Sequence, residues 1–456
     1  MRSQAWDKLS SLRTTRPTEP WLETMLSRNS ACSYLKKWGS PTTQQAFCSS
    51  VPIVNYEDIR ELINKVANGG RSILFEGRPV GYEMTGGSTN GRKLIPYTAE
   101  GLADFRATLL PWLASLVNRY HISGSAYFSL SPACRQQKFL TGIPIGLTDI
   151  AYIGDDLAPT IASILAVPPH LDELSNIIEW RNQTLHYLKQ AADLELISAW
   201  SPTFILRLFE GEDTQKLWPK LKAISCWADG VSADFIPELR ALFPQATIEP
   251  KGLMSTEVAV TVPDESGLPV LSDYGFFEFI SDGKILLENE LEQNQQYEVV
   301  ATTASGLYRY ATGDVVEHTG CNKHGRPILK FIGRKAIESD LVGEKLTESF
   351  VSSSLSNLEG FRMLVPNVQN NGYLLVTDKR LNSDAIDAIE GRLMHNPQYA
   401  YARRLDQLKK IEVLLVSNAW LRYESSRLKN GQRLGDIKPV SLGAGAQWVK
   451  LFEEEP

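Results

Sequence analysis

The sequence predicts an α/β protein in two parts. The larger N-terminal part is expected to hold mixed sheets with helices plus a β-rich subdomain, and the smaller C-terminal part to be α+β. Three observations predict this. Between residues 125 and 244, short apolar runs alternate with helical segments; from 258 to 333, strand-like runs follow one another with turn residues between them; and after Arg334 the pattern becomes strands separated by helices. The expected units are residues 1–334 and 335–456. A chain of 456 residues is long enough for two or three domains.

In chain order, residues 1–50 read as short helices with polar breaks. "VPIVNYEDIRELINKVANGG" (51–70) reads as a loop and an amphipathic helix, with Ile59, Leu62, Ile63 and Val66 on one face and Gly69–Gly70 ending it. "SILFEG" and "RPVGYEM" are short strand candidates, and "KLIPYT" is extended, with Pro96 inside it. Thr98 can cap the helix "AEGLADFRATLLPWLASLVNRY", with Glu100 in its first turn and Pro111 expected to bend it. "SAYFSL" and "DIAYIG" read as strands, and "APTIASILAV" and "DELSNIIEWRNQTLHYLKQAADL" as helices. "LKAISCWADG" is a strand running into a glycine loop, and "DFIPELRALFP" is a helix. The β-rich part is "VAVTVPDE", "DYGFFEFI", "GKILLEN", "QYEVVATT", "GLYRYATGDVVEHTG" and "ILKFIG". Beyond Arg334, "IESDLVGEKLTESFVSSSL" reads as strand, turn and helix; "YLLVTD" and "KIEVLLV" are strands, with the helix "SDAIDAIEGRLMHN" between them.

Composition narrows the functional classes. Hydrophobic residues make up 43% and charged residues 22%, so a core of ordinary size can form. A net charge of -6 without a long basic run argues against nucleic acid as a partner. Cys32, Cys48, Cys134, Cys226 and Cys321 are odd in number and none are at metal-ligand spacing, which points to a reducing cytoplasm. The N-terminal residues lack an apolar signal core, and no run reaches the roughly 18 apolar residues of a membrane span, so no membrane partner is expected. The six histidines form no H-x-x-x-H pair.

One loop carries the composition of a phosphate cradle. "GYEMTGGSTNGRKLIPYT" (81–98) sets small and hydroxyl residues between two strand candidates. A P-loop would need lysine at Arg92 and a magnesium-binding hydroxyl at Lys93, followed by a helix rather than "KLIPYT". What remains is a strand–loop–strand lid. Backbone N–H groups of Gly86, Gly87 and Asn90, the hydroxyls of Thr85, Ser88 and Thr89, and the Lys93 ammonium can face an anion. Alone, the loop is equally a solvated hairpin. Two further segments bear on it. "KGLMSTEVAV" sets Ser255, Thr256 and Glu257 before a strand, where a carboxylate beside hydroxyls can hold Mg²⁺ against a nucleotide. "GLYRYATGDVV" ends in Gly313–Asp314, whose acceptor-only carboxylate can take two ribose hydroxyls. Either acid, by itself, is equally a strand-end or turn residue.

In this order, "TGGSTNGRK", "STE", "YATGD" and "IGR" resemble the adenylate-forming superfamily of acyl-CoA synthetases, luciferases and peptide-synthetase adenylation domains. The finer resemblance runs almost end to end, through "IPIGLTDIAYIG", "YGFFEFI", "YEVVATTASGLYRYATGDVVEHTG" and "GQRLGDIKPVSL". It is to the plant auxin- and jasmonate-conjugating acyl acid–amido synthetases and their bacterial relatives. Two features depart from the pattern: Leu253 stands where the superfamily often has an aromatic residue on adenine, and Asn90 and Arg92 differ from the commonest loop residues.

The resemblance implies ATP and Mg²⁺ as cofactors and a carboxylic acid and an amine, usually of an amino acid, as substrates. It implies a large adenylate-forming domain and a small mobile C-terminal lid. Glu257 would be catalytic through Mg²⁺, and Lys438 in "GDIKPVSL" would be the lysine of the adenylation transition state. Arg334 would contact ribose and mark the hinge, and "LVGEKLTE" (341–348) would enter the acceptor side. Tyr127, Phe204 and Trp227 are candidates for the acyl pocket. A monomer is expected. An acyl-CoA ligase and a non-catalytic nucleotide-binding module are the alternatives.

Overall fold

The computed structural model describes residues 2–12, 17, 19–85, 93–129, 138–147, 152–174, 176–335, 338–432, 434–445 and 447–453. Its centre is a four-stranded parallel sheet of Ser125–Phe128, Leu194–Ser198, Ala223–Cys226 and Thr247–Pro250, in that order. Parallel sheets are stable when both faces are covered, and both faces are covered here. Tyr127, Ile197 and Ile224 face one apolar cluster, while Ala126, Leu196 and Ala223 face another, formed with Trp112, Leu113, Leu116 and Val117 of the long helix.

That helix, Ala99–Tyr120, starts where the Thr98 hydroxyl accepts from Gly101 N at 3.0 Å, and it continues unbroken past Pro111. The helix before it, Tyr56–Ala67, opens on a reciprocal cap: the Asn55 side chain accepts from Asp58 N, and the Asp58 carboxylate accepts from Asn55 N. "SILFEG" is not a strand. Its backbone is held piecemeal: Ser72 O and Ile73 O accept from Ser33 N and Tyr34 N, and Leu74 O accepts from Tyr308 Oη. In "DIAYIG", Tyr152 and Ile153 are helical, and residues 149–151 lie outside the described residues.

Strand Gly81–Thr85 pairs antiparallel with Lys93–Tyr97 and parallel with Ile143–Ile145. The β-rich subdomain is a seven-stranded antiparallel sheet. Its order is Lys284–Leu286, Phe276–Ser281, Gln296–Thr302, Tyr310–Cys321, Pro327–Arg334, Pro269–Leu271 and Thr261–Pro263. Arg309 enters this sheet with positive φ, and its guanidinium forks onto Glu278 and onto the carbonyls of Cys48 and Val51. The arginine of the "GLYRY" run is therefore a buried tie between the sheet and the N-terminal helices.

The C-terminal unit is built on a three-stranded sheet, Arg362–Asn367, Gly372–Thr377 and Glu412–Leu415. One face of it (Leu364, Tyr373, Leu375) meets its own helices. The other (Met363, Val365, Val376) joins the apolar cluster that covers the parallel sheet, and Phe235 meets Trp420 there with ring centroids 5.7 Å apart. The unit thus docks through a core shared with one face of the central sheet. No helix among the described residues is long and apolar enough to cross a membrane.

Candidate active site

In open parallel sheets, ligands sit outside the carboxyl ends of the strands. Trp200, Trp227 and Lys251 follow three adjacent strand ends here. The candidate phosphate site lies between the Gly81–Tyr97 hairpin, the 251–260 turn and the start of strand Tyr310–Cys321. Lys93 opens the second hairpin strand directly opposite Thr85. Its Nζ lies 3.0 Å from Tyr310 Oη and 3.9 Å from Glu257 Oε1, with the rings of Tyr56 and Tyr310 each 5.7 Å away. The segment after the loop is a strand, as the failure of the P-loop pattern requires. Gly86, Gly87, Ser88, Thr89, Asn90 and Arg92 lie outside the described residues.

The turn carrying Glu257 is built by its own backbone. Ser255 N donates to Val258 O at 2.9 Å, and Ser255 Oγ accepts from Val258 N at 3.3 Å. The Ser255 hydroxyl is therefore spent on the turn. Thr256 is held through its carbonyl, which accepts from Tyr97 Oη at 2.5 Å. Together these bonds leave Glu257 at the tip, 11% exposed in its side chain. Leu253 is buried in the core of the β-rich subdomain, which removes it from any adenine surface. Magnesium is commonly held by one or two carboxylates together with phosphate oxygens and waters. A single Glu257 fits that demand, and no group of three or more His, Cys, Asp or Glu gathers among the described residues.

Asp314 and Arg334 face each other across the antiparallel pair, with Arg334 Nε donating to Asp314 Oδ1 at 3.0 Å. Asp314 is 2% exposed. The Asp314 carboxylate raises the Arg334 pKa further, and Glu257 and Glu348 add to it, so the guanidinium stays charged. Tyr310 belongs to the same field: burial pushes its phenol well above the ordinary value, and the Glu257 and Asp314 carboxylates reinforce this. Glu257, Tyr310, Asp314 and Arg334 thus share one electrostatic neighbourhood, and Lys93 lies at its edge.

Arg334 also begins the link to the C-terminal unit. Glu348 Oε2 accepts from Arg334 N at 2.9 Å, and Glu348 Oε1 accepts from Ser441 N at 3.1 Å. Burial raises the Glu348 pKa against those two bonds. The "LVGEKLTE" segment forms a short hairpin, Glu338–Ser339 with Leu346–Thr347. Inside it, the buried Glu344 accepts from Leu341 N, Val342 N and Tyr373 Oη.

Lys438 Nζ lies 4.0 Å from the centroid of the Trp227 ring, so the structure brings together a predicted catalytic residue and a predicted pocket residue. Phe204 and Tyr127 lie fully buried in the core beside the parallel sheet, Phe204 against Trp180 at 5.6 Å. Sequence reasoning missed Tyr310, Tyr56 and Glu348 as site residues. Tyr310 stood inside a quoted landmark, and Glu348 closed another, but nothing in their spacing showed that they meet Lys93 and Arg334.

The chain matches the GH3 family N-terminal domain over residues 13–213 and the GH3 family central domain over residues 268–334. It is 24% identical over 424 residues to an indole-3-acetic acid-amido synthetase, GH3.15, from Arabidopsis thaliana, covering 74% of this chain and 70% of that protein. Among solved structures, the GH3.15 acyl acid amido synthetase superimposes with a TM-score of 0.81 at 19% identity, covering 99% of this chain and 93% of that one. A 2-hydroxyisobutyryl-CoA ligase in the postadenylation state superimposes with a TM-score of 0.55 at 14% identity, covering 96% and 92%. These superpositions show the adenylate-forming fold.

Proposed function

The chain belongs to the GH3 family, and we propose how its residues carry out the reaction of an ATP-dependent acyl acid–amido synthetase. A carboxylate and an amine do not condense at neutral pH, because the acid's oxygen is a poor leaving group. Adenylation removes that obstacle. One carboxylate oxygen attacks the α-phosphorus of ATP, the bond to the β-phosphate oxygen breaks, and pyrophosphate leaves. The amine nitrogen then attacks the acyl carbon, the bond to the phosphate oxygen breaks, AMP leaves and the nitrogen sheds a proton.

The first half-reaction brings two anions together, so the site must supply positive charge and fixed donors. Lys93 supplies a charge at the hairpin, beside Glu257 and Tyr310. Glu257 would hold Mg²⁺, whose chemistry when bound is to neutralise and orient phosphate oxygens. Asp314, with Oδ1 fixed by Arg334, orients ribose hydroxyls. Thr85, Gly86, Gly87, Ser88, Thr89 and Asn90 line the phosphates, with Ser255 and Thr256 shaping the turn opposite. Lys438 supplies the adenylation charge from the C-terminal unit, which then turns about Arg334 for the amine step. The end of the central-domain match at residue 334 supports the division into 1–334 and 335–456. We further propose that the enzyme works as a monomer in the cytoplasm.

The observation that carries this reading is the convergence of Lys93, Glu257, Tyr310, Asp314 and Arg334 from four separate segments. The test is carboxylate-dependent exchange of pyrophosphate into ATP, followed by AMP release with amino acids or with CoA. Exchange with amino-acid-dependent AMP release supports the amide ligase. Release that requires CoA and ignores amino acids overturns it in favour of a CoA ligase, and no exchange across a broad panel of acids leaves a binding module.

A further inference from the structure

Trp227 meets the catalytic-lysine candidate rather than the apolar core. It follows strand Ala223–Cys226, half-buried, and its indole is 4.0 Å from Lys438 Nζ. We infer that Trp227 is a positioning residue for the adenylation half-reaction, its ring holding the Lys438 ammonium at the carboxyl edge of the parallel sheet. This rests on the reading of Lys438 as the adenylation lysine.

Both partners are anchored from behind. The carbonyl of Lys438 accepts from Tyr423 Oη at 2.8 Å, and Tyr423 is stacked on Trp448 and tilted against Phe361 and Trp420. Trp227 N donates to Trp200 O at 2.8 Å, and the two indoles lie 5.7 Å apart. Trp200 also carries Lys251 Nζ at 5.0 Å, and that ammonium lies 4.7 Å from Trp112 and donates to Ser198 Oγ at 2.7 Å. A run of contacts, Trp112, Lys251, Trp200, Trp227, Lys438, therefore leads from the buried long helix out to the lysine.

The chemistry favours an indole here. A lysine stem has many rotamers, and a charge needed at one point must be confined. An aromatic face attracts the cation through its quadrupole. The aromatic partner also belongs to the N-terminal unit while the lysine belongs to the C-terminal unit, so the contact exists only when the two are docked.

The test uses the full enzyme with Trp227→Phe and Trp227→Leu, alone and with Lys438→Ala. Pyrophosphate exchange reads adenylation, and aminolysis of a supplied acyl-adenylate reads the second step. Trp227→Leu should lower the exchange kcat by about 5- to 30-fold, with Trp227→Phe intermediate. The KM for the acid should stay within about twofold and aminolysis should be unchanged. In the Lys438→Ala background, Trp227→Leu should cost nothing further. A raised KM for the acid with unchanged kcat would instead make Trp227 a pocket wall and overturn the inference. So would full multiplication of the two losses. If Lys438→Ala itself leaves exchange intact, the lysine assignment falls and the inference with it, an outcome distinct from the first two. Should the leucine variant fold poorly, the Phe variant in both backgrounds decides the same question.

Discussion

Asp314 and Arg334 stand opposite each other on neighbouring antiparallel strands, bonded Nε to Oδ1 at 3.0 Å, Asp314 within its strand and Arg334 where the chain leaves for its C-terminal unit. The bond fixes one oxygen of a carboxylate that is 2% exposed, which orients the other. Asp314→Asn should lower pyrophosphate exchange by roughly 100-fold or more, as removal of a preorganised polar group does. Arg334→Lys keeps the charge and loses the planar fork, so its loss should be smaller, about 10-fold by the same scale. Equal, small losses in both would detach this pair from nucleotide binding.

Lys93 is 31% exposed in its side chain, so its removal should spare the fold. Lys93→Ala should raise the KM for ATP by about 10-fold, the effect of one charge-assisted contact. The melting temperature should move by less than about 4 °C, as expected for a loss under 1 kcal/mol in a protein of this size. A large drop in melting temperature with normal ATP use would make Lys93 a structural tie between Tyr310 and Glu257.

Much of the fold was legible because burial leaves periodic signals. The helix at 56–67 showed its apolar face, and the hairpin strands around the glycine loop showed their turn residues. The strands Leu194–Ser198 and Arg362–Asn367 were missed: every residue in them is buried, so no alternation marks them, and they were not read as runs of their own as the equally buried Gly372–Thr377 was. "SILFEG" looked like a strand because Leu74 and Phe75 are core residues, yet side chains and neighbouring turns satisfy its backbone. At the site, acids beside glycines or hydroxyls were visible in one dimension. Tyr310 and Glu348 were not, because their roles come from partners more than ten residues away or across the hinge.

Glu257 should govern magnesium dependence. Glu257→Gln keeps the size of the side chain and the Ser255–Val258 turn that holds it. Exchange at limiting Mg²⁺ should fall by about 10²–10³-fold, with partial recovery as Mg²⁺ is raised. A loss of the same size at every Mg²⁺ concentration would place Glu257 elsewhere in the reaction.

Gly333 should be intolerant for a spatial reason. A Cβ there would lie 2.6 Å from Glu348 Oε2 and 2.9 Å from Ser349 Cα, where the helix beginning at Glu348 meets the strand. The backbone of that helix cannot yield cheaply, so the Glu348 carboxylate would be driven off Arg334 N and Ser441 N. Gly333→Ala should cost about 1–3 kcal/mol, the price of leaving such buried groups unsatisfied. Denaturant unfolding measures it. Wild-type stability in Gly333→Ala would mean that the strand and helix separate without cost.

Asp104 should make stability depend on pH. It lies in the helix Ala99–Tyr120 and accepts from Trp21 Nε1 at 3.0 Å, and burial pushes its carboxyl up from 3.8 to about 6. A carboxyl raised on folding binds its proton more tightly in the folded state. Its stabilising contribution is therefore complete below pH 3.8 and is lost as pH rises through about 6, after which the chain carries a buried charge. Asn in its place keeps an acceptor for Trp21 and carries no charge. Relative to wild type, Asp104→Asn should gain about 1–2 kcal/mol at pH 8, discounted for partial exposure, and the gain should vanish near pH 4. Denaturant unfolding of both proteins at pH 4, 6 and 8 checks the sign: a gain that is constant across the three would trace to packing, and a gain that grew towards pH 4 would reverse the assignment.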